Sequence, residues 1–160
     1  QLLLINIRVS ISKQMNLKLG GSMETYKHKV QYYETDKMQI THHSNYIRFM
    51  EEARTDFLEK IGWSYARMES EGLVSPVVSI DINYKKSTTY NDNIEIVTKI
   101  LDMSMVKVEF EYTMYVNGLI VCTAKSVHCF INNEGKPISV KKSKPELYEL
   151  LLSLVEKENI

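Results

Sequence analysis

The segment from Met105 to Ile131, MVKVEFEYTMYVNGLIVCTAKSVHCFI, limits the fold more than any other part of the chain. Val106, Val108, Phe110, Tyr112, Met114 and Val116 alternate with Lys107, Glu109, Glu111 and Thr113, the period of a half-buried strand. Asn117-Gly118 is a strong two-residue hairpin signal, and a second strand returns through Leu119. An antiparallel sheet with one apolar face needs something to cover that face.

The rest of the chain supplies the neighbours and the cover. PVVSIDINYKK sets Val78, Ile80, Ile82 and Tyr84 on one face, and NIEIVTKILD does the same for Ile94, Ile96, Thr98 and Ile100. Tyr26, His28, Val30 and Tyr32 alternate with Lys27, Lys29, Gln31 and Tyr33 as a first strand. At Asn45 the period changes. Tyr46, Phe49, Met50, Ala53, Phe57 and Ile61 form an apolar helical stripe, opposite Arg48, Glu52, Asp56, Glu59 and Lys60. Ser44 or Asn45 can cap this helix and Gly62 can end it. After the hairpin, NNEGKP breaks the pattern with Gly135 and Pro137. Ser143-Lys144-Pro145-Glu146 has capping-box spacing and opens a last helix with the stripe Leu147, Leu150, Leu151, Leu154 and Val155. The order is strand, helix, four meandering strands and a closing helix, an α+β architecture with the first helix as the cover. No repeat, low-complexity tract or linker divides it, so residues 23–160 read as one domain.

The 160 residues suffice for one domain with a real core, and 44% hydrophobic with 25% charged residues is a globular balance. A formal net charge of zero gives no global field for nucleic acid or an anionic membrane, and no apolar run reaches the length of a membrane span. Cys122 and Cys129 fall on opposite faces of a regular strand, so a disulfide between them is not expected. Unpaired cysteines suit a reducing compartment such as the cytoplasm. Residues 1–22 start without Met, end in Gly-Gly-Ser before Met23, and lack the order of a signal peptide. They read as a vector-derived or upstream leader.

Candidate chemistry concentrates in residues 32–58, YYETDKMQITHHSNYIRFMEEARTDFL. An active site, a metal site and an ordinary strand-to-helix turn all compete for it. By itself an aspartate here, Asp36, most often orders the turn. Asp36, His42, His43 and His128 are conceivable metal ligands, but adjacent histidines rarely reach one ion and no His-x-x-x-His or Cys-x-x-Cys spacing exists. No metal is expected. The N–H groups at the start of the following helix lack internal partners and carry partial positive charge, so developing negative charge can be stabilised there.

With these residues in view, the chain resembles the hotdog-fold acyl-CoA thioesterases of the 4-hydroxybenzoyl-CoA thioesterase type. The resemblance runs from about Tyr26 to Val140 and rests on YYETD…HHSNYIRFMEEAR, INYKKSTTYND and NNEGKP in that order. It implies an antiparallel sheet of five to six strands wrapped around the first helix. It implies homodimers or dimers of dimers, with acyl-CoA or an acyl-carrier protein's cargo in clefts at the subunit interface, and no cofactor. Asp36 matches the family's catalytic carboxylate, as general base or as nucleophile. The His43 backbone N–H matches the oxyanion donor, with the ring as a helper or merely as packing, and His42 becomes scaffold. The resemblance also makes Glu51 and Arg54 a structural or interface pair, three apart on the helix. Gln39 stands where Gly is common, at a position of positive φ or close ligand approach, and so bears on the acyl pocket. Tyr46 is expected in the core with one edge towards the acyl cleft. Lys85 and Lys86 are either contacts for CoA phosphates or an ordinary polar strand end. His128 is expected to be a satisfied core histidine. A non-hydrolytic acyl-CoA or acyl-carrier binding module is the alternative function. A hydratase of the same fold would need a differently placed Asp/His pair, and no such motif is present.

Overall fold

The computed structural model describes residues 25–155, so the leader proposed for residues 1–22 lies outside the described residues. Five strands form one antiparallel sheet: β1 (Tyr26–Lys29), β2 (Val77–Tyr84), β3 (Asn93–Met103), β4 (Lys107–Val116) and β5 (Leu119–Cys129). Their order across the sheet is β1-β3-β4-β5-β2. Helix α1 (Asn45–Lys60) covers the apolar face, short α2 (Tyr65–Ser70) follows it, and the single turn α3 (Val140–Ser143) leads into α4 (Pro145–Leu154).

The α1 stripe forms as its spacing requires. Tyr46, Phe49, Met50, Ala53, Phe57 and Ile61 are all buried, against Ile94, Ile96 and Ile100 of β3 and Val108, Phe110, Tyr112 and Met114 of β4 in one core. Each large apolar side chain buried this way is worth about 1.5–3 kcal/mol. Gly62 ends the helix at φ +83, a conformation in which a side chain would be strained. Asn117 and Gly118 both take positive φ in the β4–β5 hairpin, as a type I′ turn demands.

Several local expectations are corrected. β1 stops at Lys29, and Tyr32–Glu34 form a 3₁₀ turn that leaves Tyr32 and Tyr33 78% and 79% exposed. Glu34 causes this by turning its carboxylate back onto the Gln31 N–H at 2.8 Å. Val106 precedes β4 and is exposed. Ser143 does not cap α4, because it belongs to α3 and its hydroxyl donates to the Ser139 carbonyl. The α4 stripe ends at Leu154, and Val155 bridges to Ile100 instead. Most consequential is β2. Of the four residues expected on one face, Ile82 packs against the core and Tyr84 against Tyr46, whereas Ile80 is exposed and Val78, at an irregularity in the β2–β5 register, is 51% exposed. Among the described residues β2 is an edge strand bonded to β5 and not to β3, so the expected meander holds only from β3 to β5, and β2 meets α1 only through Tyr84 against Tyr46.

Candidate active site

Asp36 sits in the loop between the 3₁₀ turn and α1. Its Oδ1 accepts the Met38 N–H at 2.8 Å, its N–H donates to Ile40, and its carbonyl accepts from Gln39. The loop is thus a self-bonded turn closed by a Thr35–Thr41 bridge. Gln39 occupies it with φ +63, the left-handed region that costs a non-glycine residue about 1–2 kcal/mol. The position therefore calls for the backbone freedom of glycine, and the Gln39 side chain points to exposed surface. Its carbonyl is held by the Thr89 hydroxyl at 2.7 Å.

Among the described residues no side chain caps the start of α1. The Ser44 hydroxyl is engaged by His42 Nδ1 at 2.8 Å, and the Asn45 amide donates to the Glu34 carbonyl at 2.8 Å. Both expected caps are therefore used elsewhere. The His42 N–H donates to the same Glu34 carbonyl, while the His43 N–H has no partner among the described residues. The result is a helix start with an unsatisfied donor and the positive end of the dipole, beside the loop that bears Asp36. The His42 and His43 rings lie 4.2 Å apart, both exposed. Among the described residues, no group of three or more His, Cys, Asp or Glu side chains is placed to hold a metal ion.

Residues beyond the motif complete the site. Tyr84, at the end of β2, donates its hydroxyl to the His43 carbonyl at 3.1 Å and meets Tyr46 edge-on. Tyr46 is buried, with its hydroxyl 2.9 Å from Thr88 Oγ1. Thr88 also meets Thr41 Oγ1 at 2.6 Å and accepts the Thr41 N–H on its carbonyl. Burial pushes the Tyr46 hydroxyl's pKa up, against a pull from Thr88. Thr88, Thr89 and Tyr84 thus pin the Asp36 loop and helix start from the far end of β2. The sequence matches INYKKSTTYND to the family but assigns none of the three a role at the site, since a polar segment after a strand does not say what it touches. Lys85 and Lys86 lie in the same segment, exposed, with both N–H groups on the Val121 carbonyl.

A second missed cluster lies beneath the loop. His28 Nε2 is 2.8 Å from Glu34 Oε2, and its Nδ1 is 2.9 Å from Glu52 Oε2. Tyr26 donates to the same Glu52 oxygen at 3.1 Å, and the His28 ring packs on Phe49 at 4.1 Å. Burial, followed by the Glu52 and Asp56 charges, pushes Tyr26 up to about 12. The Gln31-x-x-Glu34 spacing was the available signal, hidden because an alternating strand seemed to run through it.

Arg54 is buried and does not pair with Glu51, which is exposed. It donates from Nε to the Tyr65 hydroxyl at 2.6 Å and from Nη1 to Tyr112 at 3.0 Å. The chain of contacts continues from Tyr112 to Ser126 at 2.9 Å and from Ser126 to His128 Nε2 at 2.8 Å. Residues three apart on a helix can meet only if both face the same medium, and here one faces the core. His128 is the expected core histidine, although its Nδ1 finds no well-aligned partner. Cys122 and Cys129 are free thiols, and burial raises Cys122 to about 11.

Comparison with known proteins shows the family and the fold. A family model described as the thioesterase-like superfamily matches residues 30–151. A Bacillus subtilis protein provisionally named acyl-CoA thioesterase YneP is 38% identical over 120 residues, 74% of this chain and 87% of that protein. The acyl-CoA thioesterase YbgC of Haemophilus influenzae is 25% identical over 116 residues, 71% of this chain and 85% of that one. The solved structure of DHNA-CoA thioesterase from Staphylococcus aureus superposes with a TM-score of 0.76 at 32% identity, covering 79% of this chain and 87% of that chain. No helix among the described residues is long and apolar enough to cross a membrane.

Proposed function

The chain belongs to the thioesterase-like superfamily, with the hotdog fold of its acyl-CoA thioesterases, and from that premise we propose that this thioester hydrolase works at the uncapped start of α1. The observation that carries the proposal is the unpartnered His43 N–H next to the turn that holds Asp36. Asp36 takes the proton of a water as the water oxygen attacks the thioester carbonyl carbon. Negative charge develops on the carbonyl oxygen and is met by the His43 N–H and the helix dipole, a donor worth about 3–4 kcal/mol in such sites. The C–S bond then breaks, the thiolate leaves and takes up a proton, and the free acid remains. Direct attack by Asp36, giving an anhydride that water then opens, uses the same geometry. The His43 ring, exposed at the mouth, orients water or substrate.

Around this centre, the Tyr46 ring walls the acyl cleft and Gln39 sets its rim. Lys85 and Lys86, exposed beside Tyr84, meet the phosphates of CoA. The open edge of β2 pairs with the same edge of a second copy, giving a homodimer or a dimer of dimers whose clefts form at the junction. Two free cysteines suit a cytoplasmic enzyme. The experiment is thiol release from a panel of aromatic, short-chain and long-chain acyl-CoA esters and acyl-carrier-protein thioesters. Asp36→Asn keeps an oxygen for the Met38 N–H, so the turn survives while the rate falls by about 10²–10⁴-fold. Full activity in that variant overturns the mechanism. Tight acyl-CoA binding without thiol release by the unmodified protein favours the non-hydrolytic alternative.

A further inference from the structure

The His28–Glu34–Glu52 cluster is not part of the chemistry above, yet it is tied to it through one residue. Glu34 is almost fully buried although it is a carboxylate, which requires compensation. Its Oε2 accepts from the Gln31 N–H and faces His28 Nε2, both at 2.8 Å. On the other side of the ring, Nδ1 faces Glu52 Oε2 at 2.9 Å. Each ring nitrogen thus has a carboxylate oxygen within hydrogen-bond distance. The groups facing His28 are Glu34 from the 3₁₀ turn, Glu52 and Phe49 from α1, and Tyr26 from its own strand; the cross-strand neighbour on β3 is the apolar Ile94. Asp56 stands one turn further along, next to Tyr26. The side chain of Glu34 is therefore held by β1 through His28, and that ring is held in turn by Glu52 in the middle of α1.

The backbone of Glu34 does something different. Its carbonyl accepts from the His42 N–H and from the Asn45 side chain, both at 2.8 Å. Those two bonds fix the first turn of α1 on either side of His43. Asp36 is two residues further along the chain. One residue thus sets the position of the proposed base on one side and of the proposed oxyanion donor on the other.

We propose that Glu34 is a positioning residue for the thioester hydrolysis, its carboxylate anchored by Gln31 and by His28, whose ring Glu52 holds from the other side, and its carbonyl holding the helix start at His42 and Asn45. This rests on the proposed roles of Asp36 and His43. A displacement of about 1 Å between reacting groups can cost on the order of 10²-fold in rate. Glu34→Ala is expected to lower kcat by about that factor while KM changes less than about threefold, because the bound thioester is held elsewhere. Glu34→Gln, which keeps the length and an acceptor oxygen, is expected to recover activity to within about tenfold of the parent. A residue that only stabilises the fold would lower the melting temperature without this split or this rescue.

The second readout is amide hydrogen exchange in the full chain, which needs no substrate. In Glu34→Ala the His42 amide is expected to exchange at least about tenfold faster while the β4 amides keep their protection. If Glu34→Ala does not fold, Glu52→Gln serves, since Glu52 is partly exposed and its replacement loosens the clamp from the other side; it should speed His42 exchange and lower kcat by several-fold. Unchanged His42 exchange in a folded variant overturns the proposal. So does faster exchange with an unchanged kcat. An unmodified protein that releases no thiol from any thioester sinks the hydrolytic roles of Asp36 and His43, and His42 exchange then decides alone whether Glu34 fixes the helix start.

Discussion

Mild acid should destabilise this protein through His128. The ring is 1% exposed, shares a hydrogen bond with Ser126 through Nε2, and has no well-aligned partner at Nδ1 among the described residues. Burial, and then the nearby Arg54 cation, push its pKa from 6.5 down to about 4, against a smaller opposing pull from the Ser75 backbone. The fold therefore holds the neutral ring, while the unfolded chain takes up a proton near the ordinary value. Between about 4 and 6.5 the unfolded state binds more protons, so stability falls as pH falls. The contribution is complete above the unfolded value and is lost progressively towards the folded one. That gap, at roughly 1.4 kcal/mol per pH unit, amounts to about 3 kcal/mol. Set against an ordinary domain stability of about 5–15 kcal/mol, it is a large share. Urea unfolding at several pH values between 7.5 and 4.5 measures it. Carboxylates lose stability in acid as well, so the comparison is with His128→Gln, whose amide can still meet Ser126. The parent should lose about 2.5 kcal/mol more than the variant over that range. Parallel curves for the two proteins would refute the reasoning, as would a His128 ring that titrates near 6.5 by NMR in the folded protein.

Gln39→Gly should raise stability by about 0.5–1 kcal/mol, the relief of a positive φ less the added freedom of the unfolded chain, and a lower thermal midpoint would contradict it. Tyr112→Phe leaves Arg54 Nη1 and Ser126 Oγ each short of a partner, and should cost about 2–4 kcal/mol by urea unfolding; a loss under about 0.5 kcal/mol would show that water replaces the hydroxyl. Val78→Lys or Ile80→Lys, on the exposed face of the edge strand, should leave a folded monomer by light scattering, and thiol release should fall with the assembly. An unaltered oligomer would place the interface elsewhere.

Sequence by itself determined what depends on period and on single backbone positions. The β4 alternation, the Asn117-Gly118 turn, the α1 stripe and the Gly62 stop are local, because each follows from side-chain direction or from a permitted φ. The YYETD and HHSNY motifs marked the Asp36 turn and the helix start for the same reason: chain neighbours must be spatial neighbours. Only the tertiary structure decided the rest. Alternation put Val78, Ile80, Ile82 and Tyr84 on one face of β2, but no local pattern says that β2 lies at the edge of the sheet, where Val78 and Ile80 stay exposed. Helical spacing allowed Arg54 to meet Glu51; burial sent it to Tyr65 and Tyr112 instead, the latter on a strand 58 residues away. Glu34 drew no reading of its own and became a joint, its carboxylate on the His28 ring that also meets Glu52 and its carbonyl on the start of α1. Hydrogen bonds between distant residues form where packing brings buried polar groups together and leaves them no water to turn to, and that condition exists only once the chain has folded.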